Sequence, residues 1–224
     1  MSRGPLLHGW DLSVKEAIAV QKEVAAAVER RDRIGEVRTI GGVDVAYGRR
    51  GRMADARAAA VLFDAATLEV VERAAVEMVI DFPYVPGLLT FREAPAAIAA
   101  IEALRIPPDL LLCDGQGLAH PRRCGFASHL GLALDLPSIG AAKSRLTGSH
   151  EEPGGERGDW TPLVDGSEVI GACVRTRTGA RPVYVSIGHR VTLQTAIRFV
   201  LRCTTRYRLP EPTRLADQLS KMCS

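Results

Sequence analysis

The chain has 224 residues, 46% of them hydrophobic and 25% charged, with a formal net charge of +3. That apolar content supports one sizeable core, so a single domain over 1–224 is expected. No apolar run is long enough to span a membrane, and no signal-peptide core follows Met1-Ser2-Arg3-Gly4-Pro5. The five cysteines, Cys113, Cys124, Cys173, Cys203 and Cys223, lack C-x-x-C spacing, so a soluble, cytoplasmic protein with neither a disulfide frame nor a zinc site is expected.

Residues 13–31 place Val14, Ala17, Ile18, Val24, Ala25 and Val28 at helical spacing between charged side chains, which predicts an amphipathic helix packed across a sheet. Residues 38–48 read as a strand. With period two, Asp44 shares a face with Gly42 and Ala46, while Val43, Val45 and Tyr47 share the other. Aspartate is depleted in strands and almost never buried unpaired, so Asp44 is either a core residue beside a cation or a functional carboxylate. Residues 57–64 and 69–79 flank Ala65-Ala66-Thr67-Leu68 and predict an antiparallel hairpin. In Asp81-Phe82-Pro83-Tyr84-Val85-Pro86-Gly87-Leu88-Leu89-Thr90, two prolines bracket an aromatic in a stiff loop, which either holds Tyr84 out to solvent or folds it onto the core. A helix over 91–105 follows, with Ile98, Ile101 and Leu104 on its stripe. Thr90 and Glu93 fit a capping box, whereas a start at Pro95 would leave the Glu93 carboxylate free.

After Pro107-Pro108-Asp109, the run Leu110-Leu111-Leu112-Cys113 predicts a strand buried on both faces. It breaks at Asp114-Gly115-Gln116-Gly117, which delivers Asp114 to the sheet's carboxyl edge, where ligands gather in open α/β sheets. His120, Arg122 and Arg123 follow within ten residues. Carboxylate, bare glycine backbone, imidazole and guanidinium together suit a metal ion and a phosphate; a strand end with Asp114 accepting turn hydrogen bonds is the alternative.

Residues 125–134 predict a helix, and 136–143 a short strand that brings Lys143 near Asp114. Residues 148–160 read as a solvated loop, 167–177 and 181–189 as a second hairpin across Thr178-Gly179-Ala180, and 192–202 as a helix. Leu209-Pro210-Glu211-Pro212-Thr213 stiffens the approach to a final helix capped by Thr213, with Asp217 one turn in. From Arg175 to Arg214 nine arginines stand against one acid, Glu211, a local basic surface of the kind phosphate backbones attract.

Asp44, Glu93, Asp114 and Asp217 are hard oxygen ligands from several elements, without His or Cys at ligand spacing. They suit Mg²⁺ or Mn²⁺ and the hydrolysis of phosphodiesters.

Gly42-Val43-Asp44-Val45-Ala46-Tyr47, Pro83-Tyr84-Val85-Pro86-Gly87 with Phe91-Arg92-Glu93, and Asp114-Gly115-Gln116-Gly117 with His120-Pro121-Arg122-Arg123 resemble the signature blocks of the endonuclease V family. Gly140-Ala141-Ala142-Lys143-Ser144-Arg145-Leu146, Gly188-His189-Arg190 and Pro210-Glu211-Pro212-Thr213-Arg214 continue the likeness. The resemblance implies an α/β, ribonuclease H-like fold, with a central mixed sheet flanked by helices. It also implies a Mg²⁺-dependent DNA repair endonuclease, with Mn²⁺ able to substitute. Such an enzyme cuts the second phosphodiester bond 3′ to deoxyinosine and leaves 3′-hydroxyl and 5′-phosphate ends.

By the same resemblance Asp44, Asp114 and Glu93 match catalytic metal carboxylates, Asp217 a further position for a ligand, and Lys143 a lysine near the scissile phosphate. Tyr84 matches the tip of a wedge that fills the space of the lesion base, carried by Pro83, Val85, Pro86 and Gly87. His120 matches a histidine beside the base and metal sites. Separately from the resemblance, Gly115, Gln116, Gly117, Arg122 and Arg123 are expected on the substrate side, where backbone groups near Gly87 and Gly115 to Gly117 suit a pocket for the base. Gln116 departs from the His that many relatives carry between the two glycines. Neither a membrane nor an obligate protein partner is implied. An inosine-specific endoribonuclease and a catalytically inactive nucleic-acid binder on the same fold are the alternatives. A small-molecule α/β enzyme is disfavoured by the lack of a G-x-G-x-x-G or P-loop fingerprint.

Overall fold

The computed structural model describes residues 8–47 and 54–222; Met1 to Pro5, Gly48 and Cys223 of the sequence reading lie outside them. The core is an eight-stranded mixed sheet in the order β3-β2-β1-β4-β5-β8-β7-β6. Its strands are β1 (Thr39–Tyr47), β2 (Ala54–Asp64), β3 (Val70–Ile80), β4 (Leu110–Cys113), β5 (Ser138–Ala142), β6 (Trp160–Asp165), β7 (Glu168–Val174) and β8 (Val183–His189). β1, β4 and β5 run parallel, and the remaining pairs are antiparallel.

The helices are α1 (Val14–Ala27), α2 (Leu89–Glu102), α3 (Phe126–Ala133), α4 (Leu193–Arg202) and α5 (Glu211–Lys221). α2 and α3 cover one face through Ala97, Ile101, Ala127 and Leu130, packed with Val43, Leu111 and Cys113. On the other face α4 packs Ala196, Ile197 and Val200 with Ile40, Leu110, Leu112 and Val185. α5 packs Ala216 with Val61 and Phe63. β4 is fully buried, as a strand covered on both faces must be.

Four local expectations are corrected. α1 rests on α3 and the 82–91 region rather than across the sheet. α2 begins at Leu89 with no side-chain cap and keeps Pro95 inside, so neither the capping box nor the Pro95 start forms. Trp160, expected as the end of the 148–160 loop, instead opens strand β6, which pairs with β7 across Gly166 at φ +63°. α5 begins at Glu211 after Pro210, so Thr213 lies within its first turn and donates its hydroxyl to the Pro210 carbonyl. Proline fits a helix start because its missing N–H would have no partner there. Among the described residues no helix is long and apolar enough to cross a membrane.

Candidate metal and nucleic-acid site

Parallel pairing sends the ends of β1, β4 and β5 to one edge. Val43 pairs with Cys113, and Cys113 with Gly140, so Asp44 and Asp114 emerge side by side, with Lys143 just beyond β5. α5 lies directly against β1 at Gly42, where an added Cβ would stand 2.1 Å from the Pro212 carbonyl oxygen. That close approach brings Asp217 in from the far end of the chain. Oxygens of Asp44, Asp114 and Asp217 all lie within 4.8 Å of one another.

The Lys143 ammonium sits 2.5 Å from Asp114 Oδ2 and 3.3 Å from Asp217 Oδ1. Lys221 Nζ holds the same Asp217 oxygen at 2.7 Å. Ser220 Oγ donates to Asp44 Oδ2 at 2.7 Å. Glu93 comes from α2 on the opposite face of the sheet and accepts the Tyr47 hydroxyl.

Burial pushes the Asp44 carboxyl above the usual aspartate range. The Ser220 hydrogen bond pulls the other way, and the charges of Asp114 and Asp217 add to the rise. Glu93 is driven up to about 7, by burial first, against the Tyr47 hydrogen bond and with Asp44 and Asp114 adding. For Lys143, burial is outweighed by the hydrogen bond and charge of Asp114, so its pKa is raised and it stays protonated. For Asp217, burial is outweighed by Lys221 and Lys143, so its pKa is lowered. A cation placed among crowded carboxylates would offset their mutual repulsion, and an all-oxygen donor set fits Mg²⁺ or Mn²⁺.

A cavity of about 430 Å³ opens beside these groups. It is lined by Asp44, Glu93, Asp114 and Lys143 together with Tyr84, Val85, Pro86, Gly87, Gly115, Gln116 and His120. Leu88 N–H donates to the Val85 carbonyl, and Gly87 has φ +80°, which makes Val85-Pro86-Gly87-Leu88 a type II turn with proline and glycine at their favoured places. The turn holds Tyr84 71% exposed at the cavity, the solvent-facing of the two readings. Gln116 donates its amide to the Ser144 carbonyl. Burial, then Arg122, pushes the His120 imidazole down to about 4, against its bond to Gly87, so it is neutral.

Five expected residues lie apart from that lining. Asp217 joins the carboxylates without lining the cavity, and Pro83 precedes Tyr84 without lining it either. Gly117 packs against the Ile187 carbonyl, with no room for a Cβ. Arg122 turns inward to the Gly87 carbonyl, and Arg123 pairs with Glu168 and Asp165. Of the nine arginines between 175 and 214, Arg175, Arg190 and Arg214 are engaged by Glu152, Asp135 and Glu211, and Arg208 by the Pro182 carbonyl. Arg177, Arg181, Arg198, Arg202 and Arg206 are exposed.

Ser220, Tyr47, Thr90, Phe126 and the Ser144-Arg145-Leu146 rim are site neighbours that sequence reasoning left without a role. Ser220 carried a signal, since it follows Asp217 by one helical turn and shares its face.

Fold and site together define an α/β protein of ribonuclease H-like architecture that gathers carboxylates at one sheet edge. Residues 22–218 match the family model of endonuclease V. An endonuclease V from Roseiflexus sp. strain RS-1 is 58% identical over 211 residues, 94% of this chain and 93% of its own. The chain belongs to the endonuclease V family. The crystal structure of the Streptomyces avermitilis endonuclease V superposes with a TM-score of 0.90 at 47% identity, covering 95% of this chain and 93% of that one. A Ciona intestinalis endonuclease V, solved with a DNA containing an inosine followed by a ribo-adenosine, superposes with a TM-score of 0.82 at 28% identity, covering 93% of this chain and 95% of that one.

Proposed function

We propose that this chain is a single-domain DNA repair endonuclease. It recognises deoxyinosine and hydrolyses the second phosphodiester bond on the 3′ side with Mg²⁺, or Mn²⁺ in its place, leaving 3′-hydroxyl and 5′-phosphate ends. The observation that carries the reading is the convergence of Asp44, Asp114 and Asp217 beside a cavity whose rim carries an exposed, proline-braced Tyr84. Asp44, Asp114 and Asp217 hold the metal, with Glu93 as the remaining carboxylate of the site. When bound, a divalent ion lowers the pKa of an attacking water and offsets charge on the phosphoryl oxygens.

The chain's own groups do the rest. Lys143 stays cationic beside Asp114 and offsets charge developing at the scissile phosphate. A base stacked in a duplex must be extruded before it can be read, and an unpaired or mispaired base leaves most cheaply. Tyr84 takes the vacated place, and the backbone of Gly87 and Gly115 with Gln116 and His120 forms the wall against the extruded base. The exposed arginines between 177 and 206 supply sequence-independent attraction for phosphates.

The test is nicking of a duplex containing one inosine, with the break mapped at single-nucleotide resolution. Cleavage after chelation should return with Mg²⁺ or Mn²⁺ and not with Ca²⁺. Full cleavage in excess EDTA sinks the metal assignment, and equal cutting of an undamaged duplex sinks the lesion assignment. The ribo-adenosine in the Ciona complex motivates a second reading, inosine-containing RNA as substrate. Matched DNA and RNA inosine oligomers, cut side by side, separate the two.

A further inference from the structure

Helix α1 stands outside the sheet and contributes nothing to the carboxylate cluster, yet it carries a polar side chain that is completely buried. Gln21 is 0% exposed. Its Nε2 donates to the Gly87 carbonyl at 3.1 Å and to the Cys124 carbonyl at 2.6 Å, while its Oε1 accepts from Arg122 Nε. Both ends of the carboxamide are therefore spent on two segments of the cavity region.

Gly87 O is the focus. It also takes Arg122 Nη2 at 2.7 Å and His120 Nε2 at 3.1 Å, so three side-chain donors converge on one carbonyl. The Arg122 backbone N–H donates to His120 Nδ1, which leaves Nε2 to carry the proton toward Gly87. Gly87 is the third residue of the turn that follows Tyr84. The turn is anchored on one side by Leu88, buried with Ala17, Phe82 and Phe91 while Val85 packs against them, and at Gly87 by these converging polar bonds.

We propose that Gln21 is a positioning residue for lesion recognition: by clamping Gly87 together with Arg122 and His120, it holds the Tyr84 turn in the geometry that enters a duplex. The inference rests on the reading of Tyr84 as a wedge. Gln21 touches neither substrate nor metal and acts only through Gly87. A carboxamide is required because one end must donate to carbonyls while the other accepts from a guanidinium.

Gln21→Glu keeps the shape and the Arg122 partner and turns the donating end into an acceptor facing two carbonyls. Gln21→Met keeps the bulk without polarity. Amide hydrogen exchange of the free protein reads the clamp directly, because Leu88 N–H is bonded to Val85 O inside the turn. Exchange at Leu88 should accelerate by about tenfold or more in both variants while amides of β4 and α3 keep their protection. Cleavage of duplex inosine DNA should fall by about tenfold, and the defect should shrink at least about threefold on a single-stranded inosine oligomer, whose base needs no extrusion.

Unchanged exchange at Leu88, or equal losses on the two substrates, overturns the proposal. So does global unfolding of both variants, which would make Gln21 a requirement of the whole core. Wild-type protein that leaves the inosine duplex uncut overturns the functional reading and this inference with it. Normal wild-type cutting alongside failed variant predictions overturns the inference alone.

Discussion

The Tyr47 hydroxyl donates to Glu93 Oε1 at 2.9 Å and joins the last residue of β1 to helix α2 beside the carboxylate cluster. The Arg92 guanidinium stacks 4.8 Å over the same tyrosine ring and donates to the Phe82 carbonyl, which closes this side of the site. Glu93 is thus buried with a single neutral donor, and its pKa near 7 follows.

A raised carboxylate pKa stabilises the fold only while the proton is on. Its contribution is complete below pH 4.5 and is lost as pH rises through about 7, up to about 3 kcal/mol. Glu93→Gln removes that dependence. Without divalent cations, the melting temperature of the variant should therefore gain on wild type as pH rises from about 5 to about 8. The buried histidines titrate alike in both proteins and cancel. Parallel melting curves across that range would show that Glu93 is ionised throughout.

Asp44→Asn and Asp114→Asn should each abolish nicking and leave affinity for inosine DNA largely intact, because on the proposed function the change removes a metal ligand and spares the cavity wall and the exposed arginines. Asp44→Asn should cost no folding stability in chelator, since it relieves a buried, crowded charge. Gel-shift affinities, nicking rates and melting curves measure the three effects. Residual nicking near wild type in either variant would remove that residue from the metal site.

Ser220→Ala deletes the neutral hydroxyl that donates to Asp44 and leaves the carboxylate in place. Losing a hydrogen bond of about 1 kcal/mol should raise the Mg²⁺ concentration for half-maximal nicking by about fivefold. The maximal rate at saturating Mg²⁺ should change less. A Mg²⁺ titration identical to wild type would show that Ser220 serves only the packing of α5.

Tyr84→Ala should barely move the melting temperature, because the side chain is already 71% exposed and has little core contact to lose. Binding to duplex inosine should weaken by about 1–3 kcal/mol, the worth of one base–aromatic stack, or roughly 5- to 150-fold. The loss should be smaller on single-stranded inosine DNA. Equal losses on both, with a lowered melting temperature, would place Tyr84 in the core.

Periodicity and glycine punctuation carried much of the fold. Asp44 and Val43 fall on the opposite faces that alternation predicts, and the Leu110–Cys113 run is the buried parallel strand that such a run implies. What sequence could not show was long-range. β6 has Pro162 and alternating exposure on an edge, so it looks like the end of a polar loop until β7 pairs with it. Nothing local reveals that Gly87, Asp165 and Glu168 fold back upon Arg122 and Arg123. Gln21 had no signal at all, since one glutamine on an amphipathic helix looks like solvent-facing surface.

The contact of Pro212 with Gly42 has a consequence in time as well as in space. Asp44 is translated before Asp114, and Asp217 rides on α5, which follows every strand of the described sheet and docks on β1 at Gly42. Every strand of the described sheet precedes α5 in the chain, so the Asp44–Asp114 pair is framed before Asp217 joins it. The docking of α5 on β1 is therefore the step that closes the three-aspartate cluster.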